Sequence, residues 1–547
     1  MSLRHAVLLG AAVLFLWGLG LRDLWAPDEP YFAEGAREMV VDGQWVVPHV
    51  NGVVTTDKPP LVFWLIALFS LPLGGVSEWT ARLPSALAGL ATVALAMRLG
   101  RRWHGPLAGA LTGGLLATTF LFWQKAQWCQ TDMVLCCLIW AALSAFEAFR
   151  SGTASGRAAG LVFWLAAALA VLAKGPVGFL LPLGIALVTL TWDRDLRRGW
   201  RFAPLAGPAL FALVVGAWIY ATEVGGPESY SVWAALEEHF VHRGLEGMHH
   251  ARPPWYFLGV TPPNLLPWVG LVPGAMVLAW RRRLPGDRMA LAAVLFVLIF
   301  FSISTEKREL YVLPAFPAFA LMAAALVAHL GGHEASSTGG GGWVGKRWLT
   351  VGHGLVLGLL GLLGLGVGIV SFRYDHLPLV ALLGVAGVSV AGAATSLYLL
   401  RRDRLLAGVA ATGGSVAVVL ILAATFVLPT FNQEKSARPF AEQMRIVTAA
   451  SRAKDLPVVA YSIGNLPDPL AFYSDGVYTL ETEDPAVLRA HLERKDQVFA
   501  VMSRGAFEGF ADLAGRLQVE TTLTLRRREL LLVSNLAGGS RGPARHR

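Results

Sequence analysis

The sequence predicts a polytopic α-helical membrane protein that ends in a small α/β domain, and three observations carry this. Of its 547 residues 55% are hydrophobic and only 15% charged, whereas ordinary soluble domains carry about a quarter charged residues. Mean hydropathy is +0.53, and apolar runs near the roughly 20 residues needed to cross a bilayer recur from residue 5 to about 430. Beyond Leu428-Pro429 the pattern changes to short alternating strand and helix segments, as in a compact α/β layer.

Taken in order, about thirteen apolar runs qualify as spans: 5–22, 80–98, 105–123, 131–149, 158–173, 176–192, 203–221, 262–280, 289–304, 310–329, 350–371, 378–400 and 405–429. With the N-terminus in the cytoplasm, the cytoplasmic turns are Arg98 to Arg102, Arg150 to Arg157, Arg194 to Arg201, Arg281 to Arg288, Lys346-Arg347 and Arg401 to Arg404. All are rich in Arg or Lys, as the positive-inside rule requires. The opposite turns hold scattered cations, so the net charge of +9 is a topology signal and no nucleic-acid partner is expected. An odd number of spans puts the C-terminus outside. The first run lacks a small-residue cleavage site and reads as an uncleaved anchor. Cys129, Cys136 and Cys137 have no metal-ligand spacing and read as small apolar residues.

Two outer loops are long, 22–79 and 222–261. Within the first, 31–41 and 60–73 suit short helices lying in the membrane interface, the former beginning near Tyr31. The Gly- and Ser-rich stretch from 331 to 345 is a flexible linker. In the C-terminal part, a helix is expected over 438–450, strands over 458–463, 477–480, 498–502 and 519–525, and a helix over 486–494 with Asp484 as N-cap and Pro485 in its first turn. The expected domains are thus a transmembrane domain over 1–430 and an α/β domain over 431–547.

On this topology the unusual polar residues fall on one side: Asp28, Glu29 and Lys58 in the first outer loop, Asp132 at the start of the fourth span and Lys174 in the fifth-to-sixth turn. Glu238, His239, Arg243, His249, His250 and Arg252 lie in the second long loop, and Lys307, Arg308 and Tyr311 in the ninth-to-tenth turn. Singly, each has a plain structural reading, such as a snorkelling Lys or an N-capping Asp. Together, carboxylates and cations at one depth suit an anionic ligand plus a base. Glycosyl transfer from a polyprenyl-phosphate sugar needs this set: cations neutralise the departing phosphate, and a carboxylate takes the proton of an attacking hydroxyl. Lys58, Lys174, Lys307 and Arg308 are the candidate cations and Asp28 the candidate base.

The motifs that carry this set also resemble a known family. They are the run Asp28 to Met39, Asn51-Gly52 followed by Asp57-Lys58-Pro59-Pro60, Thr131-Asp132-Met133, Ala173-Lys174-Gly175-Pro176 and Glu238-His239. Arg252-Pro253-Pro254-Trp255-Tyr256, Pro267-Trp268 and Lys307-Arg308-Glu309 with Tyr311, Pro314 and Pro317 complete them. In this order they resemble the bacterial ArnT/protein O-mannosyltransferase-like family of GT-C glycosyltransferases, from about residue 5 to 430, and the C-terminal domain resembles the periplasmic domain of ArnT-like members. The resemblance implies the GT-C fold, an inner-membrane enzyme with its active site and C-terminus on the periplasmic face, and an undecaprenyl-phosphate-linked sugar donor. Its acceptor would be lipid A, another envelope glycan or a protein. Carried over by position, Asp28 is the catalytic base with Glu29 beside it, and Asp132 is a second acid. Lys58 and Lys174 meet the donor phosphate, with Lys307 and Arg308 as further cations, while Tyr31, His239, Arg243 and Tyr311 line the substrate cavity. ArnT-like members follow the acidic pair and its proline with an Arg-Tyr step, whereas this chain has Tyr31-Phe32, so no cation is expected beside the pair from that position. No metal site and no obligatory cofactor are expected, two adjacent carboxylates being a poor octahedral site, although a divalent cation is left open. The alternatives are a transporter or flippase for a lipid-linked sugar, against which the absence of internal repeats counts, and a non-catalytic scaffold.

Overall fold

In a computed structural model, residues 2–55, 58–225, 252–332, 358, 379–454, 456–510, 512–525 and 528–535 are described. The chain divides into two units, one of Met1–Leu21, Thr56–Leu65 and Arg82–Val427, the other of Arg22–Thr55, Ile66–Ala81 and Leu428–Arg547.

The first unit is helical. Among the described residues eight helices are long and apolar enough to cross a bilayer, or ten when each of two bent pairs counts as one span. Eight of the expected spans coincide with the long helices, which include α4 (Glu78–His104), α7 (Thr131–Arg150), α8 (Gly156–Lys174) and α10 (Ala206–Gly225). Two others, 5–22 and 176–192, are the shorter apolar helices α1 (Leu3–Leu16) and α9 (Val177–Trp192), and 350–371, apart from residue 358, lies outside the described residues.

The expected spans 105–123 and 262–280 are not straight. Helices α5 (Pro106–Ala117) and α6 (Phe120–Ala126) meet at 71°, and Tyr256–Asn264 meets Trp268–Arg282 at 114°. At the first break Thr118 and Thr119 turn their hydroxyls back onto the carbonyls of Gly114 and Leu115, each at 2.7 Å, capping groups that a straight helix would use. At the second, Pro262, Pro263 and Pro267 remove backbone donors. The breaks satisfy each other: Phe120 N–H donates to the Leu266 carbonyl at 2.8 Å, and Trp268 Nε1 donates to Thr118 Oγ1 at 3.0 Å. Irregular backbone in an apolar protein survives where the freed groups find protein partners.

The run 310–329 opens as a 3₁₀ turn, Glu309–Ala315, and continues as the helix Phe316–Leu330; 94% of its apolar window is buried, which makes it the central element of this unit. The basic residues that mark one set of turns also make a network. Arg150 donates to Glu147 at 2.7 Å and Asp193 at 2.8 Å, and Arg288 to Asp193 at 2.7 Å. Arg282 and His104 both reach the fully buried Asp287, at 3.1 Å and 3.4 Å. These ion pairs join the ends of α4, α7 and α9 to the helix Pro285–Ile303.

The second unit combines residues from both ends of the chain. Its five-stranded sheet has the order β4-β3-β5-β7-β6, with β3 (Val458–Tyr461) parallel to β4 (Thr479–Thr482) and β5 (Phe499–Ser503). Antiparallel β7 (Arg528–Asn535) and β6 (Leu517–Leu525) complete it. Alternate side chains fill two cores: Val458, Ala460 and Val501 pack with Phe440 and Met444, while Val459, Ala500 and Met502 pack with Leu488 and Leu492, as a sheet covered on both faces requires. Asp484 caps the helix Pro485–Leu492, accepting from Ala486 N–H at 2.8 Å. The helix Pro467–Tyr473 and β7 are elements that the sequence pattern did not announce.

Residues 22–55 and 66–81, read from sequence as part of the transmembrane domain, belong to this second unit. Helix α2 (Asp28–Asp42) buries Phe32, Ala36 and Met39, but also Glu29, Glu34 and Glu38, so its inward face is a polar seam of the unit and not the plain apolar stripe of an interfacial helix. A short hairpin follows, β1 (His49–Val50) and β2 (Val53–Val54), turned by Asn51 and Gly52 at φ 58° and 74°, the Asn-Gly turn that suits the right-handed twist of paired strands.

Candidate functional site

The acidic pair of the second unit comes first. Helix α2 begins at Asp28, not near Tyr31 as expected from sequence, with Pro27 as its N-cap and Pro30 tolerated in its first turn. Both carboxylates therefore sit where the helix dipole favours negative charge. Successive helical residues point about 100° apart, and the two side chains have different surroundings. Glu29 is fully buried. Arg22, 4% exposed, donates to it through both nitrogens at 2.5 and 3.1 Å, and Trp25 N–H adds a third bond at 3.2 Å. Asp28 remains half-buried at the edge. The cation expected to be missing beside the acidic pair is thus supplied by Arg22 from upstream. Sequence reasoning missed it, because Arg22 lies in the irregular segment before α2, where no regular periodicity relates it to Glu29. Tyr31 is half-buried, and its hydroxyl is 2.6 Å from Thr55 Oγ1.

Farther along α2, Arg37 grips Glu34 with two bonds of 2.8 and 2.7 Å and stands 5.9 Å from the centroid of Tyr478. Glu38 accepts from Gly52 N–H at 3.1 Å. Burial, then the charge of Glu34 beside it, pushes its carboxyl up to about 8. Burial likewise raises the Tyr478 phenol to about 12. Asn51 uses its side-chain amide as a strand would use its backbone, donating to Thr479 O at 2.8 Å and accepting from Thr479 N at 2.9 Å.

In the first unit the structure joins three of the predicted residues. Asp132 lies in the first turn of α7 and Lys174 ends α8, each placed with the favourable end of its helix dipole. Lys174 Nζ is 2.5 Å from Asp132 Oδ1 and 5.0 Å from the centroid of the Tyr311 ring. This cluster and the Arg150 network occupy opposite ends of α7, about 30 Å apart for its 20 residues. Lys307 is 3% exposed and donates to the carbonyls of Ser304 and, at 3.0 Å, Arg252; burial lowers its pKa. Arg308 is half-buried and precedes the 3₁₀ turn at Glu309. Lys58 is half-buried. His239 and Arg243 lie outside the described residues, as do Glu238, His249 and His250.

Among the described residues no three His, Cys, Asp or Glu side chains are grouped to hold a metal. The acidic pair is itself poorly suited to a divalent cation, since Arg22 engages both Glu29 oxygens and hard cations need several oxygen ligands.

A protein-family model described as dolichyl-phosphate-mannose-protein mannosyltransferase matches residues 57–220. An undecaprenyl phosphate-alpha-4-amino-4-deoxy-L-arabinose arabinosyl transferase of Aeromonas salmonicida is 31% identical over 320 residues, covering 57% of this chain and 58% of that protein. One of Sodalis glossinidius is 32% identical over 345 residues, 60% of each chain. These alignments span less than two thirds of the curated relatives' length. Among solved structures, ArnT from Cupriavidus metallidurans bound to undecaprenyl phosphate superposes with a TM-score of 0.80 at 24% identity, over 98% of this chain and 99% of that one. The oligosaccharyltransferase of Archaeoglobus fulgidus follows with a TM-score of 0.52 at 11% identity, over 91% of this chain and 69% of that one. Both likenesses are of fold.

Proposed function

We propose that this chain is an ArnT-like GT-C glycosyltransferase, a reading that the family-model match, the curated relatives and the shared fold support, and that it transfers a monosaccharide from undecaprenyl phosphate to an acceptor hydroxyl or phosphate at the periplasmic face. The observation that carries this reading is the asymmetry of the acidic pair. Arg22 engages Glu29 inside the fold, whereas Asp28 stands half-buried at the head of α2, where a carboxylate can meet an acceptor proton.

With a hydroxyl acceptor, Asp28 takes the proton as the acceptor oxygen bonds to the anomeric carbon. The bond from that carbon to the phosphate oxygen breaks, and the lipid phosphate leaves with the electron pair. The sugar comes from a lipid carrier, so no nucleotide sugar is needed. Lys58 and Lys174 are the cations proposed for the departing phosphate. Lys174 is already paired with Asp132, so a phosphate that recruits it competes with Asp132, and Asp132 thereby sets the position and strength of that cation. Lys307, committed to two backbone carbonyls, holds the turn that carries Arg308 and Tyr311. His239 and Arg243 remain proposed to line the donor cavity, with Tyr31 and Tyr311. The reaction as written balances without a metal. The relatives named as aminoarabinose transferases favour a pentose donor, and the basic turns support a periplasmic orientation of the site.

Asp28→Asn tests the reading. Purified variant should still bind the undecaprenyl-phosphate-linked sugar but lose transfer by about two to four orders of magnitude, the usual worth of a positioned general base. Near-normal transfer would put the base elsewhere, with Asp132 next in line.

A further inference from the structure

Three residues shortly upstream of α2, Asp23, Leu24 and Trp25, are held by the C-terminal part of the second unit. Arg438 reaches Asp23 Oδ1 at 3.4 Å and Glu78 at 3.2 Å. Asp23 N–H and Trp25 Nε1 both donate to Asn432 Oδ1, at 3.2 and 2.9 Å. Leu24 N–H donates to the Tyr473 hydroxyl at 2.7 Å, and that hydroxyl donates on to Glu78 at 3.2 Å. Lys435 Nζ and Arg22 Cζ lie 4.4 and 4.6 Å from the centroid of the Trp25 ring.

Trp25 N–H and Arg22 then both bond to Glu29. A continuous chain of contacts therefore runs from Asn432, Lys435 and Tyr473 through residues 22–25 to the first turn of α2. That turn is made of adjacent residues, so whatever fixes Glu29 fixes the backbone of Asp28.

We propose that the C-terminal part of the chain is a brace for the catalytic helix, and that Arg22 and Glu29 are positioning residues which hold Asp28 in place without touching substrate. This rests on Asp28 as the base. It gives the C-terminal residues a task in the reaction and turns the second carboxylate of the acidic pair from a reactant into a tether. The backbone of an outer loop is ordinarily mobile, whereas a general base must meet its proton within hydrogen-bond reach and small misplacements lower turnover steeply. The cost of a loosened brace should therefore fall on kcat and leave donor affinity nearly unchanged.

The test uses full-length protein with Tyr473→Phe and Asn432→Ala, singly and together, beside Arg22→Lys, Arg22→Gln and Asp28→Asn. Tyr473→Phe deletes only a hydroxyl and keeps the ring, so it leaves the fold intact. The double variant is expected to lose about tenfold or more in kcat, with donor KM within about twofold. Amide hydrogen exchange of residues 22–32 should quicken while β3, β5 and β7 exchange as before. Arg22→Lys, which keeps the charge but not the planar fork, should retain more turnover than Arg22→Gln. Wild-type kcat in the double variant, whether or not exchange quickens, overturns the brace. So does a loss carried by donor KM, or unchanged exchange. Active Asp28→Asn overturns the assignment of the base on which the inference stands, and it does so independently of the exchange data.

Discussion

Glu38 offers a pH test of the seam between α2 and the rest of the second unit. It is 1% exposed, accepts from Gly52 N–H and faces Glu34, whose charge Arg37 holds with two bonds. Tyr478 and Asp42 stand at the same seam, the phenol donating to Asp42 at 3.3 Å. Burial and the neighbouring carboxylate raise the Glu38 carboxyl from 4.5 to about 8. A carboxyl with a raised folded-state pKa binds its proton more tightly when folded. Its stabilising contribution is complete below about pH 4.5, where folded and unfolded chains are both protonated, and it is lost as pH rises toward 8. At about 1.4 kcal/mol per pH unit per proton, stability should fall by up to about 2–3 kcal/mol between pH 5.5 and pH 7.5.

Glu38→Gln keeps an oxygen for Gly52 and gains an N–H₂ that can donate to Glu34, yet it cannot ionise. The variant should match the natural protein near pH 5 and exceed it near pH 8, as read from thermal unfolding of the detergent-solubilised full-length protein. Glu481, also raised by burial, adds a slope of the same sign in both proteins, so the comparison between them isolates Glu38. Equal pH slopes for the two, or stability of the natural protein rising between pH 5.5 and 7.5, would refute the reasoning.

The remaining predictions concern the first unit and the hairpin. Lys174→Met or Asp132→Asn strands a charge beside its former partner and should cost about 3–5 kcal/mol, the double variant costing less than the sum of the two in a denaturation cycle. Lys58→Ala should sharply lower sugar transfer while the protein stays folded in the membrane, as checked by size exclusion and turnover; unchanged turnover would remove Lys58 from the site. Lys307→Met should lower the unfolding temperature, through charged hydrogen bonds worth about 1.5–3 kcal/mol each, with donor KM close to normal. Asn51→Ala breaks the paired amide bonds to Thr479 and leaves a side chain ill-suited to φ 58°, and should destabilise the second unit by about 1–3 kcal/mol.

Legibility from sequence followed the range of the interaction. The long helices were readable because apolar length is a local property, and the cap at Asp484-Pro485 because its signal spans two residues. The bends after α5 and at Pro262 to Pro267 escaped a hydropathy reading, since thirteen-odd apolar windows look alike whether straight or folded back on Thr118 and Thr119. The membership of α2 was hidden for a different reason. Its Phe32, Ala36 and Met39 stripe fits an interfacial helix equally well, and what distinguishes the buried one is Glu34, Arg37 and Glu38 finding Gly52 and Tyr478, a pairing more than 400 residues apart in its longest leg. Among the candidate site residues, Asp132 with Lys174 was legible as a set on one side of the topology but not as an ion pair. Arg22 was invisible as a partner of Glu29.

The same acidic pair shows why counting carboxylates misleads about chemistry. Adjacent residues in a helix share a backbone and a dipole but not an environment, because about 100° of rotation carries one side chain inward and leaves the other at the edge. A buried carboxylate is tolerable only when paired and hydrogen-bonded, and Arg22 with the Trp25 N–H meets that need for Glu29. Its value lies in rigidity: a bidentate guanidinium–carboxylate pair fixes two planes against each other, and the turn that carries Asp28 is built on one of them. Function in such a pair divides between a group that reacts and a group that holds it still, and the division is set by which side of the helix the rest of the protein covers.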